Sequence, residues 1–190
     1  MSRILIVDDE LAILHSLRRL LRAVPCTYGG STFHLDVETF ESPTAALERA
    51  GHIPFDLVLT DYRMPIMDGV ELLKKIREAQ PDATRLILSG YADLNVLVSA
   101  INEVEIYRFI AKPWNDYELV AAIGQALHNR NLTLENRRLA DQTRLAKGQL
   151  SAEAVEAKRL EALEPGITRV NWGPDGSVIL DPEFQDLDDK

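Results

Sequence analysis

Four short apolar runs in this chain each end in residues able to do chemistry. Ile4 to Val7 leads into Asp8 and Asp9, Leu57 to Leu59 into Thr60 and Asp61, Arg85 to Leu88 into Ser89, and Ile106 to Ala111 into Lys112. Gathered in one crevice, three carboxylates repel one another and raise each other's pKa unless something binds them. A hard divalent cation relieves that repulsion. Mg2+ takes oxygen ligands, keeps several waters, and is commonly held by one or two carboxylates together with phosphate oxygens. Lys112 and Ser89 would then neutralise and hydrogen-bond a phosphoryl group carried by Asp61. Taken singly, each residue also has a plain structural reading: Asp61 alone is as well explained as a turn or capping acid.

For these residues to meet, the runs must be strands of one sheet. Continuous apolar runs of this length, bounded by turn residues, are the pattern of strands buried on both faces. Between them lie stretches of helical spacing. Leu11, Leu14, Leu17, Leu20 and Leu21 form an apolar stripe that Pro25 terminates, and Gly69 to Ala79 buries Val70, Leu72, Leu73 and Ile76 before Pro81. Thr27 to Thr32 reads as a turn with two glycines, and His34 to Phe40 alternates as a strand with one wetter face near the sheet's edge. Ser42 and Pro43 open a helix over Thr44 to Ala50 that Gly51 closes, Asp93 to Asn102 is a fourth helix, and a fifth begins near Asp116 as N-cap. Five β and α units in alternation predict a doubly wound α/β domain: a five-stranded parallel sheet with helices on both faces, over residues 1–125. Ligands of such sheets collect outside the carboxyl ends of the strands, where these residues stand.

Residues 126–164 carry no strand pattern and are rich in Leu, Ala, Arg, Glu and Gln, with Gly148 the one strong breaker. This predicts a long helical extension, nearly continuous from Asp116. A heptad places Leu132, Leu139, Ala146, Glu153 and Leu160 on one seam position and Asn136, Thr143, Leu150 and Ala157 on the other, an imperfect coiled coil. The alternative is an amphipathic helix folded back on its own domain. Residues 165–190 read as a β-hairpin, Ile167 to Trp172 and Ser177 to Leu180 around Gly173-Pro174-Asp175-Gly176, followed by a disordered acidic tail. An isolated hairpin is marginal in water, so Val170, Trp172 and Ile179 need a partner surface.

Composition narrows the classes. A net charge of −9 over 190 residues argues against a general nucleic-acid surface, and residues 126–190 hold nine Lys and Arg against twelve Asp and Glu, so no DNA partner is expected. The single cysteine, Cys26, cannot form an internal disulfide. With no signal-peptide core and no run of roughly 20 apolar residues, no membrane contact is expected and the cytoplasm is the expected location.

The pieces IVDDE at Asp8 to Glu10, LVLTDYRMPIMDG around Asp61, LSGY at Ser89 and FIAKPW at Lys112 together resemble the receiver domain of two-component response regulators, over about residues 3–125. The resemblance implies the flavodoxin-like strand order 2-1-3-4-5. It implies Asp61 as phosphoacceptor for the phosphohistidine of a sensor kinase or phosphotransfer protein. Mg2+ would be held by Asp9 and Asp61, by Asp8 through water, and by the Arg63 backbone carbonyl. Lys112 would pair with the phosphoryl oxygens and Ser89 would swing toward them, with Phe109 as aromatic switch and Tyr107 as the other candidate. Arg63 and Tyr91, two residues beyond Asp61 and Ser89, would flank the phosphoryl group and shield it from water.

The expected function is therefore a phosphorylation-dependent switch and not an enzyme in its own right, with no separate catalytic domain in the chain. Its output would be homodimerisation through the fourth helix, fifth strand and fifth helix and the C-terminal helix, or binding of a protein effector. Two alternatives stand beside it: a monomeric phosphotransfer shuttle or enzyme regulator, and the front part of a longer regulator whose enzymatic output domain lies elsewhere.

Overall fold

The computed structural model of the chain describes residues 1–90, 104–147 and 151–163. Its central sheet has β1 (Ser2–Val7), β4 (Leu35–Phe40), β5 (Leu57–Asp61), β6 (Thr84–Ser89) and β7 (Arg108–Ala111) in the order β4-β1-β5-β6-β7. All four pairings are parallel. This is the predicted order, with the edge strand β4 half-exposed along its whole length.

Strand alternation sorts the apolar side chains into two layers. Ile4, Ile6, Leu57, Leu59, Leu86 and Leu88 face α1 (Leu11–Ala23) and α4 (Asp116–Ala146). Leu5, Val7, Val58 and Ile87 face α2 (Pro43–His52) and α3 (Gly69–Ala79). Ser42 caps α2 with Pro43 at its first position, so this helix runs through Gly51, which closes nothing. Asp68 caps α3 by accepting from Glu71 N–H at 2.8 Å. For α4 the cap is Asn115, whose Oδ1 accepts from the N–H groups of Tyr117 and Glu118, and Asp116 becomes the first helical residue. The expected helix at Asp93 to Asn102 lies outside the described residues.

Thr27 to Thr32 is more than a turn. Residues 26–33 form an antiparallel hairpin, β2 (Cys26–Tyr28) and β3 (Ser31–Phe33), joined by Gly29 and Gly30 at φ +57° and +78°. Two consecutive left-handed residues are the geometry of a two-residue hairpin turn that matches strand twist. The hairpin lies on α4 so closely that a Cβ on Gly124 would come within 3.3 Å of the Thr27 carbonyl oxygen. The Tyr28 and His128 rings meet there at 5.5 Å between centroids.

The long extension is two helices. After α4 ends at Ala146 the chain resumes as α5 (Ala152–Leu163), and Lys158 Nζ lies 3.1 Å from Asp141 Oδ2. In one continuous helix those residues would stand roughly 25 Å apart at 1.5 Å per residue. In place of the nearly continuous helix expected from Asp116 to Glu164, the described residues hold two separate helices, α4 and α5, that meet at this ion pair. Toward the domain, α4 is latched by Arg130, which pairs with Asp56 at 2.7 Å and donates to the Asp82 carbonyl at 2.9 Å, and by an Arg137–Asp82 ion pair. The hairpin expected at 167–180 lies outside the described residues.

Candidate functional site

Parallel register brings the strand ends level. Val7 pairs with Thr60, Asp61 with Leu88, and Ser89 with Ala111, so Asp8, Asp61, Ser89 and Lys112 stand along one edge of the sheet. Asp8 is fully buried, Asp61 nearly so, and the Lys112 side chain is about one-fifth exposed. Lys112 Nζ lies 2.5 Å from Asp61 Oδ1 and 2.9 Å from Asp8 Oδ2. The remaining carboxylate oxygens are held by backbone: Glu10 N–H donates to Asp8 Oδ1 and Arg63 N–H to Asp61 Oδ2, both at 2.9 Å. Among the described residues, Ser89 Oγ is the one buried side-chain polar atom with no hydrogen-bond partner. Such an orphan is costly in a native core and marks a group held ready for a partner.

The electrostatics follow from burial and that one ammonium. Burial pushes the Asp8 carboxyl above its ordinary value, an effect that the hydrogen bonds from Lys112 and the Glu10 N–H offset only in part. For Lys112 burial alone would favour the neutral amine, but hydrogen bonds to Asp61 and Asp8 outweigh it and raise its pKa. Lys112 is thus a fixed cation between two acids.

The donor set is carboxylate and hydroxyl oxygen, which suits a hard cation such as Mg2+. Of the three acids that the resemblance implies as ligands, the structure brings Asp8 and Asp61 together at Lys112, and among the described residues no third acidic, His or Cys side chain stands within that cluster. Lys112 bridges Asp8 and Asp61, while Asp9 is exposed at the rim. From Arg63, the contact seen with Asp61 is the backbone N–H. Phe109 is half-buried against the α2 and α3 layer, opposite Ile87 in register. Tyr107 packs in the other layer and its hydroxyl accepts from Asn129 Nδ2 at 2.8 Å, tied to α4. Tyr91 lies outside the described residues.

The sequence marks Gly69 only as the start of a helix, yet it sits so close under the acceptor strand that a Cβ would meet the Asp61 carbonyl oxygen at 2.2 Å. The N–H of Gly69 closes the loop onto Tyr62 O at 2.9 Å.

The family model of the response regulator receiver domain matches residues 4–124. The chain belongs to that family. This receiver is 35% identical over 139 residues to the hydrogenase transcriptional regulatory protein HoxA of Cupriavidus necator, a match covering 73% of this chain and 27% of that protein. It is 28% identical to the transcriptional regulatory protein FixJ of Bradyrhizobium diazoefficiens, covering 88% of this chain and 76% of FixJ. Among solved structures, a receiver domain protein from Clostridium thermocellum superposes with a TM-score of 0.60 at 28% identity, over 70% of this chain and 99% of that one. The chain spans about a quarter to a third of the length of the HoxA and DctD relatives it matches. Those relatives are transcriptional regulators, and the NtrC relative of Escherichia coli is a DNA-binding one. The expectation that DNA plays no part, drawn from net charge, therefore has no support from the relatives: charge over a whole chain says little about a regulator whose parts differ. No helix among the described residues is long and apolar enough to cross a membrane.

Proposed function

We propose that this receiver is a phosphorylation-controlled switch in which Asp61 takes a phosphoryl group from the phosphohistidine of a partner kinase or phosphotransfer protein. The observation that carries this reading is Lys112 bonded to both Asp61 and Asp8 beside the unpartnered Ser89 hydroxyl. A carboxylate oxygen of Asp61 forms the new P–O bond as the P–N bond breaks, and the electron pair leaves with the imidazole. Lys112 neutralises the transferred oxygens, and Ser89 Oγ gains the acceptor it lacks. Asp8, Asp9 and Asp61, with the Arg63 carbonyl, would hold Mg2+, which when bound shares the phosphoryl charge. Ser89 movement frees space for Phe109 to change rotamer, while Arg63 and Tyr91 shield the acyl phosphate from water.

Lys112 and the cap residue Asn115 are only three residues apart, so a shift at the site reaches α4 directly. The output is dimerisation or effector binding by the α4 and α5 extension, whose Leu132, Leu139, Leu160 and Leu163 are exposed. A second reading is the front part of a longer regulator, favoured by the short span this chain covers in HoxA and DctD. Beryllofluoride with Mg2+, which mimics the phosphoryl group, tests the output. A change in mass by light scattering supports dimerisation, and an unchanged mass and shape contradicts it.

A further inference from the structure

The sheet ends on one side at β4, and among the described residues no strand pairs with its outer edge. The β2 and β3 hairpin forms a two-stranded sheet of its own and leans on α4, so it leaves that edge uncovered. The N–H of Ser2 donates to His34 O and that of Asp8 to Phe40 O, so the even-numbered residues of β4 turn their backbone groups to β1. The N–H and C=O groups of Leu35, Val37 and Thr39 therefore point outward. They make a row of open donors and acceptors roughly 13 Å long at about 3.3 Å per residue. The side chains of Leu35 and Val37 lie half-buried in the α1 layer, next to Val24 and Phe33.

A cleft of about 550 Å³ opens between β4, β3 and the C-terminal half of α1, at the end of the domain opposite Asp61. Leu21, Phe33, Leu35 and Val37 form its apolar side, and Arg18 and Arg22 its charged one. Both arginines are exposed and neither has an ion pair among the described residues, whereas Arg49 and Arg130 pair with Glu38 and Asp56. Arg22, in the last turn of α1, also suits the helix dipole, but Arg18 stands a turn earlier and gains little from it. Asp36, the one acid among the described lining residues, turns with Glu38 to the α2 face by strand alternation. On a chain of net charge −9, this cleft is a cationic one.

We propose that β4 and this cleft receive a protein partner through an extended acidic segment, which adds a sixth strand to the sheet. Main-chain bonds to Leu35, Val37 and Thr39 hold such a strand, and its alternate side chains reach the cleft. Arg18 and Arg22 stand one turn apart, about 6 Å along the helix at 1.5 Å per residue. Alternate residues of a strand stand about 6.6 Å apart. Carboxylates at every second position therefore meet both guanidinium groups. The partner is not the phosphodonor, which must reach Asp61 at the other end of the strands. Nor is it a second copy, because pairing two β4 edges about a two-fold axis sets Asp36 and Glu38 of both copies on one face. The open backbone row and the half-exposed Leu35 and Val37 favour a peptide over a nucleic acid, whose phosphates need neither.

The probe is a fluorescein-labelled heptapeptide with blocked ends, alternating glutamate and valine, titrated with the full chain and read by fluorescence anisotropy. Saturable binding to the parent is expected, unchanged in Asp61→Asn and absent when lysine replaces the peptide's glutamates. The double variant Arg18→Glu with Arg22→Glu should weaken binding about tenfold or more while circular dichroism stays unchanged. Val37→Pro removes one outward N–H without touching the pairing with β1, and should weaken binding as well. Two further peptides are methylated on backbone nitrogen, one at its glutamates and one at its valines. A strand turns only alternate N–H groups to its neighbour, so one of the two is expected to lose binding and the other to keep it. No saturable binding to the parent, equal behaviour of the two methylated peptides, or undiminished binding by the double arginine variant overturns the proposal. So does displacement of the peptide by a duplex DNA oligomer, which would make the cleft a nucleic-acid site.

Discussion

Lys112 holds two carboxylates at once, and this makes it a structural residue as well as the phosphoryl partner proposed for it. Lys112→Ala leaves the fully buried Asp8 without its cation, and breaking a largely buried pair costs about 3 kcal/mol. Chemical denaturation should show that loss, with Mg2+ recovering more stability in the variant than in the parent. Gly69→Ala forces a methyl against the Asp61 carbonyl, so it is expected to destabilise by at least about 2 kcal/mol and to abolish phosphoryl acceptance together. Burial pushes the Cys26 thiol up to about 11 from 9.0. A folded value raised above the unfolded one contributes stability that is intact below pH 9 and lost as pH rises through about 11. The loss from this thiol is on the order of 3 kcal/mol. Cys26→Ala should flatten that alkaline decline in urea melts. Asp8, Asp61, Ser89 and Lys112 were legible because each follows an apolar run, and strand ends are where a parallel sheet collects its chemistry. The role of Gly69 was not, because a close approach of backbone depends on the loop's path. The bridge by Lys112 was also hidden, since sequence orders charges but does not pair them.

At the scale of elements, the latch of α4 rests on Arg130 and Asp56, whose side chains are mostly buried. Arg130→Ala is expected to cost about 1–2 kcal/mol, and a double-mutant cycle with Asp56→Ala should show coupling between the two. Additive effects would mean that the helix is held by packing alone. The five sheet strands and α1 to α3 were legible from periodicity because their apolar faces are fixed by burial. The extension was not: α4 and α5 beyond residue 130 are mainly exposed, so the sequence carries little periodic signal there to set where one helix ends and the next begins. The small hairpin of β2 and β3 was hidden for another reason. Its glycines were read as a turn, while Cys26-Thr27-Tyr28 and Ser31-Thr32-Phe33, the β-prone flanks, are too short to register as strands.

For the whole molecule, the receiver edge and the helix pair are joined through Lys112 to Asn115 and the α4 latch. Occupancy at Asp61 is therefore expected to change assembly or exposure of the extension, and light scattering with beryllofluoride measures that change. That readout is secondary to the chemistry at the acceptor. The most direct test is intact-mass spectrometry of the full chain incubated with Mg2+ and a small-molecule phosphoryl donor. One added HPO3 group, labile to hydroxylamine, is expected in the parent chain, absent from Asp61→Asn and absent when Mg2+ is chelated beforehand. A parent chain that stays unmodified, or an Asp61→Asn variant that gains the same group, would contradict that expectation.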